Sequence, residues 1–201
     1  MASVSGTEGY AEEAENLFGR YENILFADVH RSVLHLIPTA PCRVLDIGSG
    51  TGRDAAALAA MGHRVVAVEP NVEMLLRAIA LHPSPQIEWL DDSLPDLVEV
   101  MRRGEQFDVV MLTAVWMHLD ELQRRRAMPR VASLLRAGGV MCMTLRHGPV
   151  PSGRRMFEVS GDETTGLGRA AGLRLLFKEE RSPSLRQSGV SWTRLALARP
   201  D

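Results

Sequence analysis

The chain has 201 residues, of which 45% are hydrophobic and 24% are charged, and these proportions predict one soluble globular domain over residues 1–201. Its 23 basic and 25 acidic side chains give a net charge of −2, without the basic excess expected of a nucleic-acid-binding protein. No apolar run approaches the roughly 18 residues of a membrane span. We therefore expect a cytoplasmic protein with neither a nucleic-acid nor a membrane partner.

The first 40 residues contain two predicted helices. They cover residues 10–18 and 22–37, and the second presents an apolar face made of Leu25, Val29, Val33, Leu36 and Ile37. Pro38 and Pro41 end this helical region. Residues 1–40 are expected to form a helical lid over a core of residues 41–201, with Tyr10 and Tyr21 available to face a bound ligand.

Strands and helices then alternate along the chain. The hydrophobic pattern predicts strands at 43–47, 64–69, 87–90, 107–115 and 140–146, separated by helices at 53–61, 72–81, 94–103 and 120–136. This alternation requires parallel strands with right-handed crossovers. The basic run 123–126 within the last of these helices is interpreted as a solvated face.

The last part of the sheet is predicted to run differently. A loop at 147–161 and a helix near 162–171 precede two strands at 173–179 and 191–198. The connection 180–189, with its proline and glycine, lacks the length and periodicity of a crossover helix. The last two strands should therefore pair antiparallel.

Three glycines at every second position follow the first strand. Gly48, Gly50 and Gly52 allow the backbone to approach a ligand more closely than any Cβ would permit. A dinucleotide fingerprint has a longer spacing, G-x-G-x-x-G, and places a pyrophosphate at the helix N-terminus. Asp46 beside this turn would instead attract a cationic ligand, which favours S-adenosylmethionine with its sulfonium and ammonium groups.

A second carboxylate ends the next strand. Glu69 lies 21 residues after Gly48, a separation at which a carboxylate accepts hydrogen bonds from ribose hydroxyls. The alternative is that Glu69 only caps the helix that begins near Asn71, whose N-terminus favours negative charge. The two acids at this separation favour the nucleoside interpretation.

These motifs resemble those of the class I S-adenosylmethionine-dependent methyltransferases that act on small molecules. The matching segments are 46–52, 68–71, 91–93, 107–110 and 135–139, and the resemblance covers about residues 40–199. It implies a Rossmann-like α/β fold with a seven-stranded sheet, mostly parallel with an antiparallel last strand and helices on both faces. It also implies that S-adenosylmethionine is converted to S-adenosylhomocysteine.

The resemblance also assigns cofactor contacts. Asp46 and the turn with Gly48, Ser49, Gly50 and Gly52 would contact the methionyl portion, and Glu69 with neighbouring Pro70 would contact the ribose. Met74 would line the adenosine, while Asp92 and Ser93 would contact the adenine edge. Asp91 is interpreted as a solvated turn residue. Thr113 and Ala114 would lie near the sulfonium and amino groups.

Candidate acceptor-binding residues come directly after the fourth strand and at the end of the fifth. Trp116 would stack on an acceptor and His118 would take up a proton near neutral pH. The alternatives are that Trp116 packs against the N-terminal helices and that His118 bonds a loop carbonyl. Arg146 and His147 would lie at the cavity mouth, with His147 a second candidate proton acceptor, and Arg154 and Arg155 follow in the loop beyond. If two of these guanidiniums point inward, they suit a carboxylate or phosphate on an acidic small-molecule acceptor; the alternative is that each is solvated at the surface.

Other functions remain open at this point. A protein of the same fold that binds the cofactor without turnover, for regulation or assembly, is one alternative. A nicotinamide-dependent oxidoreductase is another, although it needs the longer glycine spacing. Cys42 and Cys142 show no C-x-x-C spacing, so neither a metal site nor a disulfide is expected.

Overall fold

The structure is a computed structural model that describes residues 6–10, 13–181 and 189–201. The predicted connection 180–189 lies largely outside these residues. Seven strands alternate with helices along the chain: α1 Ala14–Tyr21, α2 Phe26–His30, β1 Arg43–Ile47, α3 Arg53–Ala60, β2 Arg64–Val68, α4 Val72–Leu81, β3 Ile87–Leu90, α5 Val98–Arg102, β4 Phe107–Thr113, α6 Glu121–Ser133, β5 Leu135–His147, α7 Gly161–Ala170, β6 Arg174–Arg181 and β7 Ser191–Ala198. Short 3₁₀ turns cover Leu34–Leu36 and Trp116–His118.

The seven strands form one sheet in the order β3-β2-β1-β4-β5-β7-β6. Strands β1 to β5 pair parallel with their neighbours, and β7 pairs antiparallel with both β5 and β6. The predicted fold class is therefore confirmed, including the antiparallel last strand. The order of the strands reverses at β1 and β4, so a crevice opens at their carboxyl ends.

Alternating side chains of the strands build a core on each face of the sheet. On β1, Leu45 and Ile47 join one core together with residues of α6 such as Met128. Val44 points to the other face, where Leu58 of α3 packs. Helices on both faces follow from this pattern, because each buried strand needs apolar partners above and below it.

The predicted helix 22–37 is wrong. The chain forms the short helix α2 and a 3₁₀ turn instead, and the buried positions are Phe26, His30, Val33 and Ile37. Leu25 of the predicted apolar face is 67% exposed and lies in extended backbone before α2. The buried His30, which pairs with Asp54 at 2.7 Å, fixes the orientation of α2, and apolar periodicity does not reveal such a polar contact.

The predicted helix 94–103 is shorter than expected, with α5 beginning only at Val98. Asp92 explains this start, because its Oδ2 accepts hydrogen bonds from the amides of Glu99 (2.8 Å) and Val100 (3.0 Å). The preceding segment follows a different path, with Leu97 at a positive φ of 49°. Capping by a distant carboxylate therefore sets the start of this helix.

The basic run on α6 is only partly solvated, which corrects the interpretation of residues 123–126. Arg124 is 3% exposed and binds Glu163 of α7 through Nε at 2.8 Å. Its Nη2 also donates to the carbonyl of Glu158 at 3.2 Å, so this guanidinium joins α6 to α7 and to the segment before it. Arg125, by contrast, forms an exposed pair with Glu121.

We expect Arg124→Ala to lower the free energy of unfolding by about 1–3 kcal/mol, because it leaves buried acceptors without a donor. Arg125→Ala on the same helix is the matched control and should cost less than about 0.5 kcal/mol. Urea denaturation followed by circular dichroism measures both values. Equal losses for the two variants would contradict the bridging role of Arg124.

Candidate functional site

A cavity of about 1120 Å³ opens at the carboxyl ends of β1, β2, β4 and β5. Its volume exceeds the roughly 300–1,000 Å³ of a typical small-molecule site, so it has room for two ligands side by side. Most of the predicted site residues line it: Tyr10, Tyr21, Asp46, Gly48, Ser49, Gly50, Glu69, Pro70, Met74, Asp92, Ser93, Thr113, Ala114, His118 and Arg146. Gly52, Trp116 and His147 do not.

The glycine turn is tied to the end of β2. The amides of Gly48 and Ser49 donate to the carbonyl of Val68 at 2.8 and 2.9 Å, and the Gly50 amide donates to Glu69 Oε2 at 2.9 Å. Gly48 and Gly50 both have positive φ angles, 69° and 57°. The turn is therefore held in a conformation that favours glycine.

The glycines of this turn have different surroundings. A Cβ on Gly50 would meet no protein atom within 4 Å, so Gly50 borders open space. A Cβ on Gly48 would lie 2.5 Å from Val115 Cγ2, and one on Gly52 would lie 2.6 Å from Trp89 Cη2. Gly52 therefore serves close packing at the start of α3, and its predicted cofactor contact has no geometric support. Gly50 is the glycine that a ligand can approach.

Glu69 is a buried carboxylate with two backbone donors. Besides the Gly50 amide, the Asn71 amide donates to its Oε1 at 2.8 Å. Burial raises the pKa of Glu69 to about 7 despite these two hydrogen bonds. Glu69 therefore supports Asn71, the N-cap residue of α4, as the capping alternative predicts. Each of its oxygens also keeps acceptor capacity for a ligand, which the ribose interpretation requires.

Two further carboxylates lie beside the turn. Asp46 is 1% exposed, and its Oδ2 has no hydrogen-bond partner among the described residues. Burial, together with the charge of nearby Asp54, raises the pKa of Asp46 well above its usual range. A buried acceptor without a donor at a cavity wall is a position where a cationic or hydrogen-bonding ligand is stabilised.

Asp54 was not predicted as a site residue, although it follows the glycine turn directly. Burial acts to raise its pKa, but the hydrogen bond and charge of His30, with Arg53, outweigh this effect and hold it at about 2. The Thr113 hydroxyl also donates to Asp54 Oδ2, at 2.8 Å. The predicted cofactor residue Thr113 therefore positions Asp54, and Asp54 remains ionised.

Asp92 and Ala114 both line the cavity. Asp92 accepts from the Ser93 amide at 2.8 Å in addition to its two bonds to α5, so its carboxylate organises the loop before that helix. Ala114 has a φ of 58°, which is unusual for a residue with a Cβ, and its amide donates to Thr144 Oγ1 at 2.9 Å. Backbone strain of this kind is concentrated at functional sites.

Tyr10 and His118 form a hydrogen-bonded pair at the cavity wall. The Tyr10 hydroxyl lies 2.9 Å from His118 Nε2, and His118 Nδ1 lies 2.9 Å from the carbonyl of Arg155. Since a carbonyl only accepts, Nδ1 carries the proton and Nε2 accepts from Tyr10. Burial lowers the pKa of His118 and raises that of Tyr10, so both groups are neutral near pH 7.

Trp116 and His147 lie elsewhere, which corrects their predicted placement at the cavity mouth. Trp116 is fully buried in the core on the α6 face of the sheet. His147 ends β5 and its Nε2 lies 2.8 Å from Thr193 Oγ1, so it links β5 to β7. The turn after β4 directs the larger apolar side chain inward, a choice that residue type alone does not predict.

Several arginines also line the cavity. Arg146 of β5 faces it as predicted, and its Nη1 lies 4.0 Å from Met156 Sδ. Arg154 stacks over the ring of Tyr10, with Cζ 3.6 Å from the ring centroid. Arg194, which sequence reasoning missed, donates through Nε to the carbonyl of Val29. In the β5–β7 pairing it lies opposite Thr144, two residues before Arg146 on β5, and no motif predicts this placement.

None of the helices in the described part of the chain is long and apolar enough to cross a membrane. Within the same residues, no group of three His, Cys, Asp or Glu side chains is arranged to hold a metal ion.

Comparisons with known proteins agree with this geometry. Residues 44–139 match a family model described as a methyltransferase domain. An uncharacterized methyltransferase of Mycobacterium tuberculosis (strain ATCC 25618 / H37Rv) is 35% identical over 111 residues, which is 52% of this chain and 40% of that protein. The match thus spans less than half of the relative's length.

Solved structures show the same fold. The 1,6-didemethyltoxoflavin-N1-methyltransferase of Burkholderia thailandensis, with bound 1,6-didemethyltoxoflavin and S-adenosylhomocysteine, has a TM-score of 0.71 at 22% identity, covering 96% of this chain and 84% of that one. The N-methyltransferase NodS of Bradyrhizobium japonicum WM9, in complex with S-adenosylhomocysteine, has a TM-score of 0.73 at 15% identity, covering 95% and 98%. At these identities the likeness establishes the fold.

Proposed function

We propose that this chain binds S-adenosylmethionine and transfers its methyl group to a small-molecule acceptor. The match of residues 44–139 to a methyltransferase-domain model and the order of the seven strands support the predicted resemblance to the class I S-adenosylmethionine-dependent methyltransferases. One observation carries the proposal. The buried carboxylates of Asp46 and Glu69 line the same cavity as the open Gly50, so acceptor atoms suited to a cationic nucleoside surround the point of closest backbone approach.

The residues present fit this cofactor. The unpartnered Oδ2 of Asp46 suits the positive charge of an ammonium or sulfonium group, and the remaining acceptor capacity of Glu69 suits ribose hydroxyls. Met74 lines the cavity with an apolar side chain. When bound, the cofactor supplies a methyl group already activated by its sulfonium.

The same residues disfavour the nicotinamide alternative. A pyrophosphate binds at a helix N-terminus, and the first turn of α3 carries Asp54, which remains ionised. Gly52 also comes one residue earlier than the third glycine of the dinucleotide fingerprint. A pyrophosphate at the start of α3 would therefore meet the negative charge of Asp54.

The protein's contribution to transfer is mainly alignment. Holding two reactants in line supplies about 7–11 kcal/mol of a barrier, whereas a general base adds about 10²- to 10⁴-fold in rate. Asp46 and Glu69 line the same cavity as Tyr10, His118 and Arg146. An acceptor bound beside the cofactor would contact the second group of residues, and Leu17 of α1 would belong to the proposed lid.

The direct test combines binding with turnover. Calorimetry should show that the protein binds S-adenosylmethionine and S-adenosylhomocysteine but not NADH. Incubation with cofactor labelled in the methyl group and a library of small acceptors should then transfer label. Binding without any transfer would favour the cofactor-binding protein without turnover, and binding of NADH alone would exclude the methyltransferase assignment.

We expect the affinity for S-adenosylhomocysteine to rise as the pH increases through about 7 and to level off about one pH unit above that value. The pKa of Glu69 is raised to about 7, and its ionised form is the stronger acceptor for ribose hydroxyls. Glu69→Gln should weaken binding by about 1.5–3 kcal/mol and remove this part of the pH dependence.

Calorimetry between pH 5.5 and 8 makes the measurement, with Glu73→Gln on the exposed side of α4 as the matched control. If Glu69→Gln bound as tightly as the control with the same pH profile, Glu69 would not contact the ribose.

We also expect His118→Asn and Tyr10→Phe to lower kcat about 10²- to 10⁴-fold with little change in the KM of the cofactor. The neutral Nε2 of His118 accepts the Tyr10 hydroxyl, so this pair can pass a proton away from an acceptor. His147→Asn is the control, because His147 lies outside the cavity and bonds Thr193. Initial rates with an acceptor from the library decide the matter, and similar kcat values for all three variants would refute a role for the pair.

A further inference from the structure

Arg154 is a buried guanidinium with an unused donor at the cavity. Its side chain is 4% exposed and its Nη2 binds Glu13 Oε2 at 2.7 Å. Its Nη1 is also buried but has no hydrogen-bond partner among the described residues. Since buried charged donors are nearly always hydrogen-bonded, this atom indicates a ligand acceptor that the protein itself does not provide.

Arg146 provides a second positive charge on the same side. It lies at the carboxyl end of β5, half-buried, and within the described part of the chain no carboxylate forms an ion pair with it. Its cross-strand partner on β7 is Trp192, and Met156 contacts its guanidinium. Both of these apolar side chains line the cavity, so the charge lies in an apolar setting.

The two arginines act on the same neighbours. The charges of Arg154 and Arg146 both lower the pKa of His118 and oppose the burial effect on Tyr10. Glu8 has the opposite effect and raises the pKa of His118, and Tyr21 and Glu69 raise the pKa of Tyr10. Arg154 stacks on Tyr10 and Arg146 lines the same cavity, so the charges of both act on the Tyr10–His118 pair.

Charge is divided across the cavity. The three buried carboxylates, Asp46, Asp54 and Glu69, lie at the ends of β1 and β2 and at the start of α3. Arg146 and Arg154 lie at the end of β5 and in the loop after it. Arg53 pairs with Asp54 on the first side, and Glu13 pairs with Arg154 on the second. Among the described residues, Asp46 Oδ2 and Arg154 Nη1 stay without a partner, and they suit a cationic and an anionic ligand respectively.

We propose that the β5 side of the cavity is a subsite for an oxyanion, a carboxylate or a phosphate, on an acceptor with an apolar body, and that Arg146 and Arg154 bind it. This inference rests on the proposed function and names the substrate class for it. A planar guanidinium donates two parallel hydrogen bonds to such a group. Because Arg154 stacks on Tyr10, an oxyanion bound there lies next to the groups that would take up the proton of the acceptor.

The test uses three probes of nearly equal size: benzoate, phenyl phosphate and uncharged benzamide. Each is titrated calorimetrically into the full chain, with and without saturating S-adenosylhomocysteine. We expect at least one of the two anions to bind tenfold or more tightly than benzamide. The anion that binds tighter identifies the subsite as one for carboxylates or for phosphates.

Substitutions then test the two arginines. Arg146→Gln and Arg154→Gln should each reduce the preference for the anion at least tenfold, and Arg154→Lys should retain part of it because the charge remains. Arg64→Gln, on an exposed residue at the start of β2, is the control and should change nothing. Circular dichroism checks that each variant is folded, and Arg146→Gln, with no ion pair to lose, tests the proposal even if Arg154→Gln does not fold.

Two results would overturn the proposal. The first is a failure of selectivity, which is equal binding of benzamide and both anions. An anion preference that persists in Arg146→Gln and in a folded Arg154 variant has the same meaning for the two arginines. The other is a loss of affinity for S-adenosylhomocysteine in these variants with unchanged anion binding, which would assign the arginines to the cofactor's own carboxylate. Failure of the proposed function is distinct, because S-adenosylhomocysteine would then not bind to the unsubstituted protein while the anion preference would still be measured without it.

Discussion

The Glu69 carboxylate organises the site by joining two backbone segments that would otherwise be independent. It accepts the Gly50 amide from the turn after β1 and the Asn71 amide from the start of α4. Two neutral donors offset only part of the cost of burying the charge, as the pKa of about 7 indicates. A ligand that donates further hydrogen bonds to Glu69 would offset the rest of this cost. Glu69, which shapes the turn, therefore also keeps acceptor capacity for such a ligand.

Asp46, Asp54 and Glu69 line the same cavity, and Asp54 differs from the other two acids in its partners. His30, Arg53 and Thr113 together satisfy it, so it stays ionised without a ligand. Asp46 has no such set of partners, and repulsion from Asp54 adds to its burial in raising its pKa. The arrangement therefore leaves Asp46 as the acid in need of a positive neighbour. It also connects the site to α2, because His30 reaches Asp54 from that helix.

Much of the fold was predictable, because parallel strands with two buried faces produce continuous apolar runs with glycine or acidic residues at their ends. The strands β1, β2, β3 and β7 lie where the pattern predicts them. The errors concern residues whose surroundings come from distant segments. The sequence predicts Arg124 to be a surface residue, but in the fold it binds Glu163 of α7. It predicts Trp116 to be a site residue, but the turn after β4 directs this side chain into the core. Local pattern carries no information on such contacts.

Two parts of the cavity also differ in whether local sequence pattern predicts them or distant segments build them. The part with Gly50 and Glu69 consists of a short motif and one acid on the adjacent strand, so residue type and spacing predict that these residues lie together. The other part joins segments from three distant parts of the chain: Tyr10, His118 and the loop with Arg154. The Tyr10–His118 hydrogen bond and the Arg154–Glu13 ion pair join these segments. Their backbones also approach closely, since a Cβ on Gly9 would lie 2.6 Å from the carbonyl oxygen of Gly153. Because loops on a rigid sheet tolerate change, these segments can vary without disturbing the glycine turn. Under the proposed function, the fold would therefore constrain the methyl donor more tightly than the acceptor, and the charges of these loops would select the acceptor.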